Sequence, residues 1–261
     1  MTGYEPLNTL KPVAQGLWLI DGPAITSYGF PFSTRASVVR LENGDLWVHS
    51  PTQWSETLQA ELDALGPVRH LVAPNCLHFA HISAWQQANP DATYWAAPGV
   101  AERAAKNGLT LPEAQPLQAV QAEWPWATEM SQLIVRGSRW FHEAVFFHAA
   151  SQTLILTDLI EAFDTAKLPA RCRPFVWLNG IENTDGKMPP ILRRSFKDKT
   201  ALAEDIETMM AWGPRRIIIA HGDWYRGNGT AELERAFRKI LRGRAWERAM
   251  DDIEARQNAK R

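Results

Sequence analysis

Ile217-Ile218-Ile219-Ala220-His221-Gly222-Asp223 is an apolar β-type run that stops on a metal-type ligand, and Leu154-Ile155-Leu156-Thr157-Asp158 repeats the device earlier in the chain. Short continuous apolar runs suit strands buried on both faces. A strand that ends on His-Gly or on Asp presents that side chain at the rim of its sheet, where ligand sites form. A third cluster, Asn75-Cys76-Leu77-His78-Phe79-Ala80-His81, follows the apolar run Val68 to Ala73 in the same way. The three in this order are more informative than any one alone.

Outward from these runs, the pattern is strand and helix in alternation. Ala201 to Trp212 predicts a helix closed by Gly213-Pro214, and Thr230 to Leu241 and Ala245 to Ala255 predict two more. Leu133 to Val135, Ala144 to His148 and the Leu154 run form one β series, with Ala149-Ala150-Ser151-Gln152 as a turn. In the first half, Leu17 to Ile20, Ser37 to Leu41 and Leu46 to His49 read as strands, the last two joined by the hairpin signal Glu42-Asn43-Gly44-Asp45. Ser55 to Leu65 carries Leu58, Leu62 and Leu65 at helical spacing before Gly66-Pro67. Helix is also expected over His78 to Gln87 and Val100 to Lys106, a strand over Thr93 to Ala96, and loop over residues 109–127. Residues 163–200 hold Pro169, Pro174, Pro189, Pro190 and Gly186, and read as an excursion or lid with one short helix.

Two β-rich halves, each finished by helix–strand units, predict two sheets packed together with helices outside, in one domain over residues 1–261. A doubly wound sheet has the same length, but the Gly-rich phosphate loop that favours it is missing. With 45% hydrophobic and 22% charged residues, the composition is that of a globular protein. The net charge of -1 provides no general attraction for nucleic acid or a membrane surface. Twelve Trp read as packing residues before they read as an aromatic cleft. Cys76 and Cys172 make no disulfide scaffold, and no apolar run reaches the roughly 18 residues of a membrane span. Met1 to Pro6 lacks the features of a signal peptide, so the cytoplasm is the expected compartment.

The order of these pieces resembles the metallo-β-lactamase superfamily over roughly residues 13 to 240. Thr157-Asp158 matches that family's second strand-end ligand, and Ala201 to Gly222 matches its helix, turn, strand and His-Gly. More narrowly, Tyr4 to Asn8, Leu46 to Pro51, Val72 to Asn75, Val145 to His148 and Leu154 to Ile160 are similar to the DUF4336 family, a divergent branch of the fold. The resemblance implies an α/β, four-layer αββα sandwich. It does not fix a reaction.

The resemblance is incomplete at the family's His-x-His-x-Asp-His loop. In one register Asn75, Leu77, Phe79 and Ala80 take the motif positions; shifted by one residue, Cys76, His78, Ala80 and His81 take them. The Asp is lost in both. Ser50-Pro51 stands where the family usually has Asp and a small residue.

The ligand set implied is His78, His81, Asp158 and His221, enough for one zinc, iron or manganese ion with a water position. His78 and His81, three apart, would share a helix face. Asp223 would orient His221 from behind. Asp158 and Asp223 are the candidate catalytic residues. The bland alternatives are surface or hydrogen-bonded histidines, a capping Asp158 and a buried Cys76; His142 is a weaker ligand candidate, and His49, His70 and His148 read as structural. Arg193-Arg194 and Arg215-Arg216 read as solvated charges, with a phosphate or carboxylate clamp at the former as the functional alternative. Two functions follow: a metal-dependent hydrolase of a small-molecule substrate, or a non-catalytic scaffold or small-molecule binder with a degenerate metal site. A redox role with iron in the same pocket is third.

Overall fold

The computed structural model describes residues 3–27, 29–117 and 124–258, so part of the 109–127 loop lies outside the described residues. Seven strands make the first sheet: β1 (Lys11–Ala14), β2 (Leu17–Ser27), β3 (Phe30–Arg40), β4 (Leu46–His49), β5 (Val68–Ala73), β6 (Thr93–Ala96) and β7 (Gln115–Pro116), in that order. The first four pair antiparallel and the rest parallel. The switch follows from the connections: a tight turn at Asn43-Gly44 joins β3 to β4, whereas helices α1 (Glu56–Asp63) and α2 (Ile82–Ala88) bridge β4 to β5 and β5 to β6. Helix α3 (Val100–Lys106) precedes β7. Ser55 caps α1 by accepting from the Leu58 N–H.

The second sheet has the order β11 (Arg216–Ile218), β10 (Thr153–Ile155), β9 (Ala144–His148), β8 (Met130–Ile134). Its strands alternate between two cores. Phe146, Ile155 and Ile218 face the first sheet, where Trp47 and Trp126 meet Phe146 at ring separations of 4.8 and 6.3 Å. Val145, Phe147, Leu154, Leu156, Ile217 and Ile219 face outward onto α6 (Lys199–Ala211) and α7 (Gly229–Asn258), through Leu202, Ile206, Met209, Leu233 and Phe237. Each such side chain, fully buried, contributes about 1.5–3 kcal/mol. A strand apolar on both sides therefore needs both layers, and the architecture is an αββα sandwich. Among the described residues no helix is long and apolar enough to cross a membrane.

The structure departs from expectation in five places, the first being β7, which lies within the stretch 109–127 expected as loop. Strands β2 and β3 run well beyond Ile20 and start well before Ser37. Pro23 lies at a register shift between Gly22 and Ile25, where a strand tolerates a missing N–H. Helix α2 begins at Ile82, not His78, because the Asn75 side chain accepts from the Leu77 N–H and bends the chain into a turn. Residues 163–200 form two 3-10 turns and two short helices, α4 (Arg173–Asn179) and α5 (Pro190–Ser195). Finally, the last two helices are one: α7 runs through Gly243, whose cost of about 1 kcal/mol is met by packing of Leu233 and Phe237. Arg244 and Arg248 also tie α7 to Glu204 and Glu207 of α6.

Candidate metal centre

Asp158 is presented by the turn after β10. Glu143, fully buried before β9, accepts from the backbone N–H groups of Thr157, Asp158 and Leu159 at 2.6, 2.9 and 3.2 Å. Three donors on one carboxylate fix the turn and hence the direction of Asp158. The Asn75 amide donates to Asp158 Oδ2 at 2.7 Å and to Thr157 Oγ1 at 2.8 Å. Burial would raise the Asp158 carboxyl, but the facing imidazoles of His78 and His221 outweigh it and hold it far below the usual carboxylate range. Burial and the Asp158 charge push Glu143 the other way, up to about 7. Burial likewise raises Glu161, to about 8.

His221 follows β11. Its Nδ1 lies 2.6 Å from the Ser33 carbonyl, and the Gly222 N–H donates to Ser33 Oγ at 2.9 Å. Gly222 has φ +99°, and a Cβ there would collide with the Ala162 carbonyl, so only glycine makes this turn. Arg35 on β3, 3% exposed, reaches across to donate to the carbonyls of Ile219 and Gly222 at 2.7 and 2.9 Å. Its charge is balanced by Asp21 at 2.7 Å, which also takes Lys11 at 2.8 Å. The first sheet thus grips the loop that carries the second sheet's histidine.

His78 comes from the turn before α2. Its Nδ1 meets Ser50 Oγ at 2.7 Å, and Ser50, at φ +53°, ends β4. Next to it His49 is buried against Trp47, at a ring separation of 5.4 Å, and burial lowers its pKa to about 3. The three side chains converge on one point. His78 Nε2 lies 3.1 Å from Asp158 Oδ2 and His221 Nε2 lies 3.2 Å from Asp158 Oδ1. One donor atom from each of the three falls within 4.8 Å of the others.

The model of the family described as "Domain of unknown function (DUF4336)" matches residues 18–174, more than half of the chain. The chain belongs to the DUF4336 family. The match takes in Asn75, His78 and Asp158 and stops short of His221. No curated protein matches the chain. Solved structures do. The DIM-1 metallo-β-lactamase superposes with a TM-score of 0.61 at 12% identity, covering 88% of this chain and 96% of that one. A metallo-β-lactamase from Hirschia baltica gives 0.58 at 15%, covering 89% and 96%. The metallo-β-lactamase FIM-1 from Pseudomonas aeruginosa, solved in a mono-zinc form, gives 0.58 at 16%, covering 89% and 96%. At these identities the likeness establishes the metallo-β-lactamase fold of this DUF4336 protein and nothing about its chemistry.

The expected site residues separate. His78, Asp158 and His221 come together; His81 does not join them. It occupies the N-cap position of α2, where burial lowers its pKa. The shared helix face expected for His78 and His81 does not exist, since His78 precedes the helix. Asp223 does not stand behind His221: its backbone N–H donates to the Ala162 carbonyl and its carboxylate takes Asn183 at 3.4 Å. The Ser33 carbonyl has that place. Cys76 is buried and outside the cluster, and burial raises its thiol. His142 is not among the converging ligands; its neighbour Glu143 reaches the centre instead, as the clamp on the Asp158 turn. Five residues of the site escaped the sequence reading in these roles: Ser33, Arg35, Ser50, Asn75 and Glu143. Arg35 and Glu143 leave a signal, a charge inside or beside an apolar strand run; Ser33 holds His221 through its carbonyl, which leaves none.

Proposed function

We propose that the protein is a metal-dependent hydrolase that holds one divalent ion between His78, Asp158 and His221. The observation that supports this most is the orientation of His221. A carbonyl can only accept, so Nδ1 facing Ser33 carries the hydrogen and Nε2 turns its lone pair toward Asp158 Oδ1, 3.2 Å away. Two electron-rich atoms at that distance call for a cation between them, a proton or a metal. The donor set fits a metal: two imidazole nitrogens face different oxygens of one carboxylate at 3.1 and 3.2 Å, and one ligand atom from each of the three residues lies within 4.8 Å of the others. Two imidazoles and a carboxylate suit zinc, iron or manganese. The ion would supply a Lewis acid and a hydroxide-like nucleophile at neutral pH for an ester, amide or phosphoester.

The protein's own residues set the limits of that activity. Asp158 is held as a carboxylate, and Ser50 and Ser33 aim the two imidazoles from behind. Glu143 is committed to three backbone donors. In the register that the Asn75 amide follows, the motif Asp position is Phe79, which is buried in the core. Proton handling is therefore weak, and slow turnover is the expectation. The second reading, a non-catalytic binder with a degenerate site, draws on the same feature: the Asn75 amide already occupies one oxygen of Asp158.

The test is total metal analysis of protein purified without chelator, followed by assay of the zinc-loaded and ferrous-loaded protein on ester, amide and phosphodiester panels. Near-stoichiometric metal with turnover lost on chelation supports the hydrolase. Stoichiometric metal without turnover sinks the hydrolase alone, and no metal at all sinks both the ion and the reaction and favours the binder.

A further inference from the structure

We propose that the cavity between α5, the start of α6 and α7 binds an anionic amphiphile, an apolar body carrying a phosphate or carboxylate head. The cavity measures about 480 Å³, within the range of small-molecule sites. It lies on the outer helical layer and goes beyond the hydrolase reading, since it uses none of the residues of the metal centre.

Its floor is apolar and fixed. Met188, Phe196, Leu202 and Phe237 close its base, each 4% exposed or less and part of the core between the second sheet and its helices, while the half-buried Ala236 and Ile240 and the aliphatic stems of the lining lysines and arginines supply the apolar area that remains accessible. Its wall is basic. Arg193, Lys199, Arg238 and Lys239 are exposed and lack acidic partners among the described residues. Three further bases are already paired: Lys187 with Asp185 at 2.6 Å, Arg235 with Glu232 at 2.8 Å and Asp185 at 3.0 Å, and Arg244 with Glu204 at 3.1 Å. No Asp or Glu among the described residues lines the cavity. Of the acids adjoining lining residues in sequence, Asp198 caps α6 by accepting from the Ala201 N–H, and Glu234, beside Arg235, lines the neighbouring surface depression instead.

In a chain of net charge -1 this is a local excess of positive charge over a recessed apolar surface. Like charges held near one another repel, and a bound anion relieves them. Guanidinium groups pair phosphate and carboxylate through parallel N–H donors, so both heads share the chemistry. Ala236, Ile240 and the aliphatic stems add what a bare anion cannot use: apolar area that is covered only if the ligand carries a hydrocarbon body.

The experiment is calorimetric titration of the full chain with octyl phosphate, octanoate, octanol, octyltrimethylammonium and inorganic phosphate, each below any micelle-forming concentration. Octyl phosphate and octanoate should bind at least tenfold more tightly than octanol or inorganic phosphate, and the cationic amphiphile should not bind. Whichever head binds more tightly identifies the natural one. Arg193→Glu and Arg238→Glu should each weaken octyl phosphate at least tenfold with the unfolding midpoint unchanged, because both side chains are exposed and unpaired. Arg194→Glu, next door on α5 but outside the cavity lining, should bind as the native protein does. Equal binding of octanol, equal binding of inorganic phosphate, indifference to both cavity variants, or no binding at millimolar octyl phosphate would each overturn the proposal. Metal content is measured on the same samples, so the two readings stand or fall separately.

Discussion

The two sides of the metal centre are built differently. Asp158 and His221 sit one turn beyond β10 and β11, neighbouring parallel strands of the second sheet, and buried backbone clamps hold both turns. The opposite side, formed by the end of β4 and the turn before α2, offers His78 alone and an amide, Asn75, that donates where a ligand would accept. A position that needs only one turn of backbone beyond a buried strand keeps its geometry cheaply. A position on an irregular loop needs its own local bonds, and in this chain Asn75 spends them on shaping the turn and clamping Asp158.

If the rigid side depends on its clamps, the largest effect should follow from removing the clamp farthest in sequence. Arg35→Met takes away a buried charge, leaves Asp21 with Lys11 alone, and strands the carbonyls of Ile219 and Gly222. Breaking one partner of a buried pair costs about 3–5 kcal/mol, and urea unfolding should show a loss of that size. A loss below about 1 kcal/mol, the range of an exposed pair, would mean the clamp is incidental.

Next comes the ligand on that side. His221→Ala should abolish stoichiometric zinc and ferrous iron in a folded protein. Unchanged binding would place any metal elsewhere. On the looser side the loss should be partial: His78→Ala should weaken metal by about ten- to a hundredfold, roughly 1.4–2.7 kcal/mol. His81→Ala should leave it untouched, since His81 stands outside the cluster. A loss in His81→Ala as large as in His78→Ala would show that the loop adopts the register that brings both histidines to motif positions when metal binds.

The sequence was legible where the two sides differ least and opaque where they differ most. Strands β5 and β9 and the ends of β10 and β11 follow from continuous apolar runs, because burial on both faces leaves no other pattern; the half-buried β6 follows from its aromatic residues before Pro98. The αββα layering follows from the same runs. The 75–81 loop was not legible, since its conformation rests on a single side-chain acceptor, Asn75 Oδ1, and either register satisfies the spacing. Asp223 was misplaced for a related reason: a second carboxylate two residues after a histidine looks like its support, yet the support is a main-chain carbonyl from β3. Backbone groups carry no sequence signature. Long-range clamps such as Arg35 announce only that a buried charge needs a partner, not which one.

Acid should separate the sides as well. His49, on the β4 side, is held neutral by burial with its pKa lowered to about 3 from 6.5. Its folded pKa lies below the unfolded one, so it costs nothing above pH 6.5 and destabilises increasingly as pH falls toward 3. Asp158, whose folded pKa is depressed, stabilises above the unfolded carboxylate value and loses that only at lower pH. Glu143 and Glu161 are raised and act oppositely, favouring the fold as pH drops from about 8 toward 4.5. The readout is therefore a difference. His49→Phe removes a buried Nε2 that has no partner, and its stability relative to native should rise by up to about 1.4 kcal/mol per pH unit between pH 6.5 and 4. A difference that stays flat across that window would place His49 in contact with water.

The smallest loss among the residues that shape the centre should come from Ser50, which touches His78 and nothing else there. Its hydroxyl holds Nδ1 at 2.7 Å and so points Nε2 at Asp158. Groups behind a ligating imidazole are typically worth ten- to a hundredfold in affinity. Ser50 should fall at the low end, because the His78 side chain is 11% exposed and water can take the hydroxyl's place. Ser50→Ala keeps the backbone strain at φ +53° that serine already bears, so its unfolding midpoint should stay within the range of a surface change. Zinc titration of Ser50→Ala should show about a tenfold loss, roughly 1.4 kcal/mol, against complete loss in His221→Ala. If Ser50→Ala were as damaging as His221→Ala, the β4 side would be as tightly built as the other, and the asymmetry between the two would lie only in ligand number.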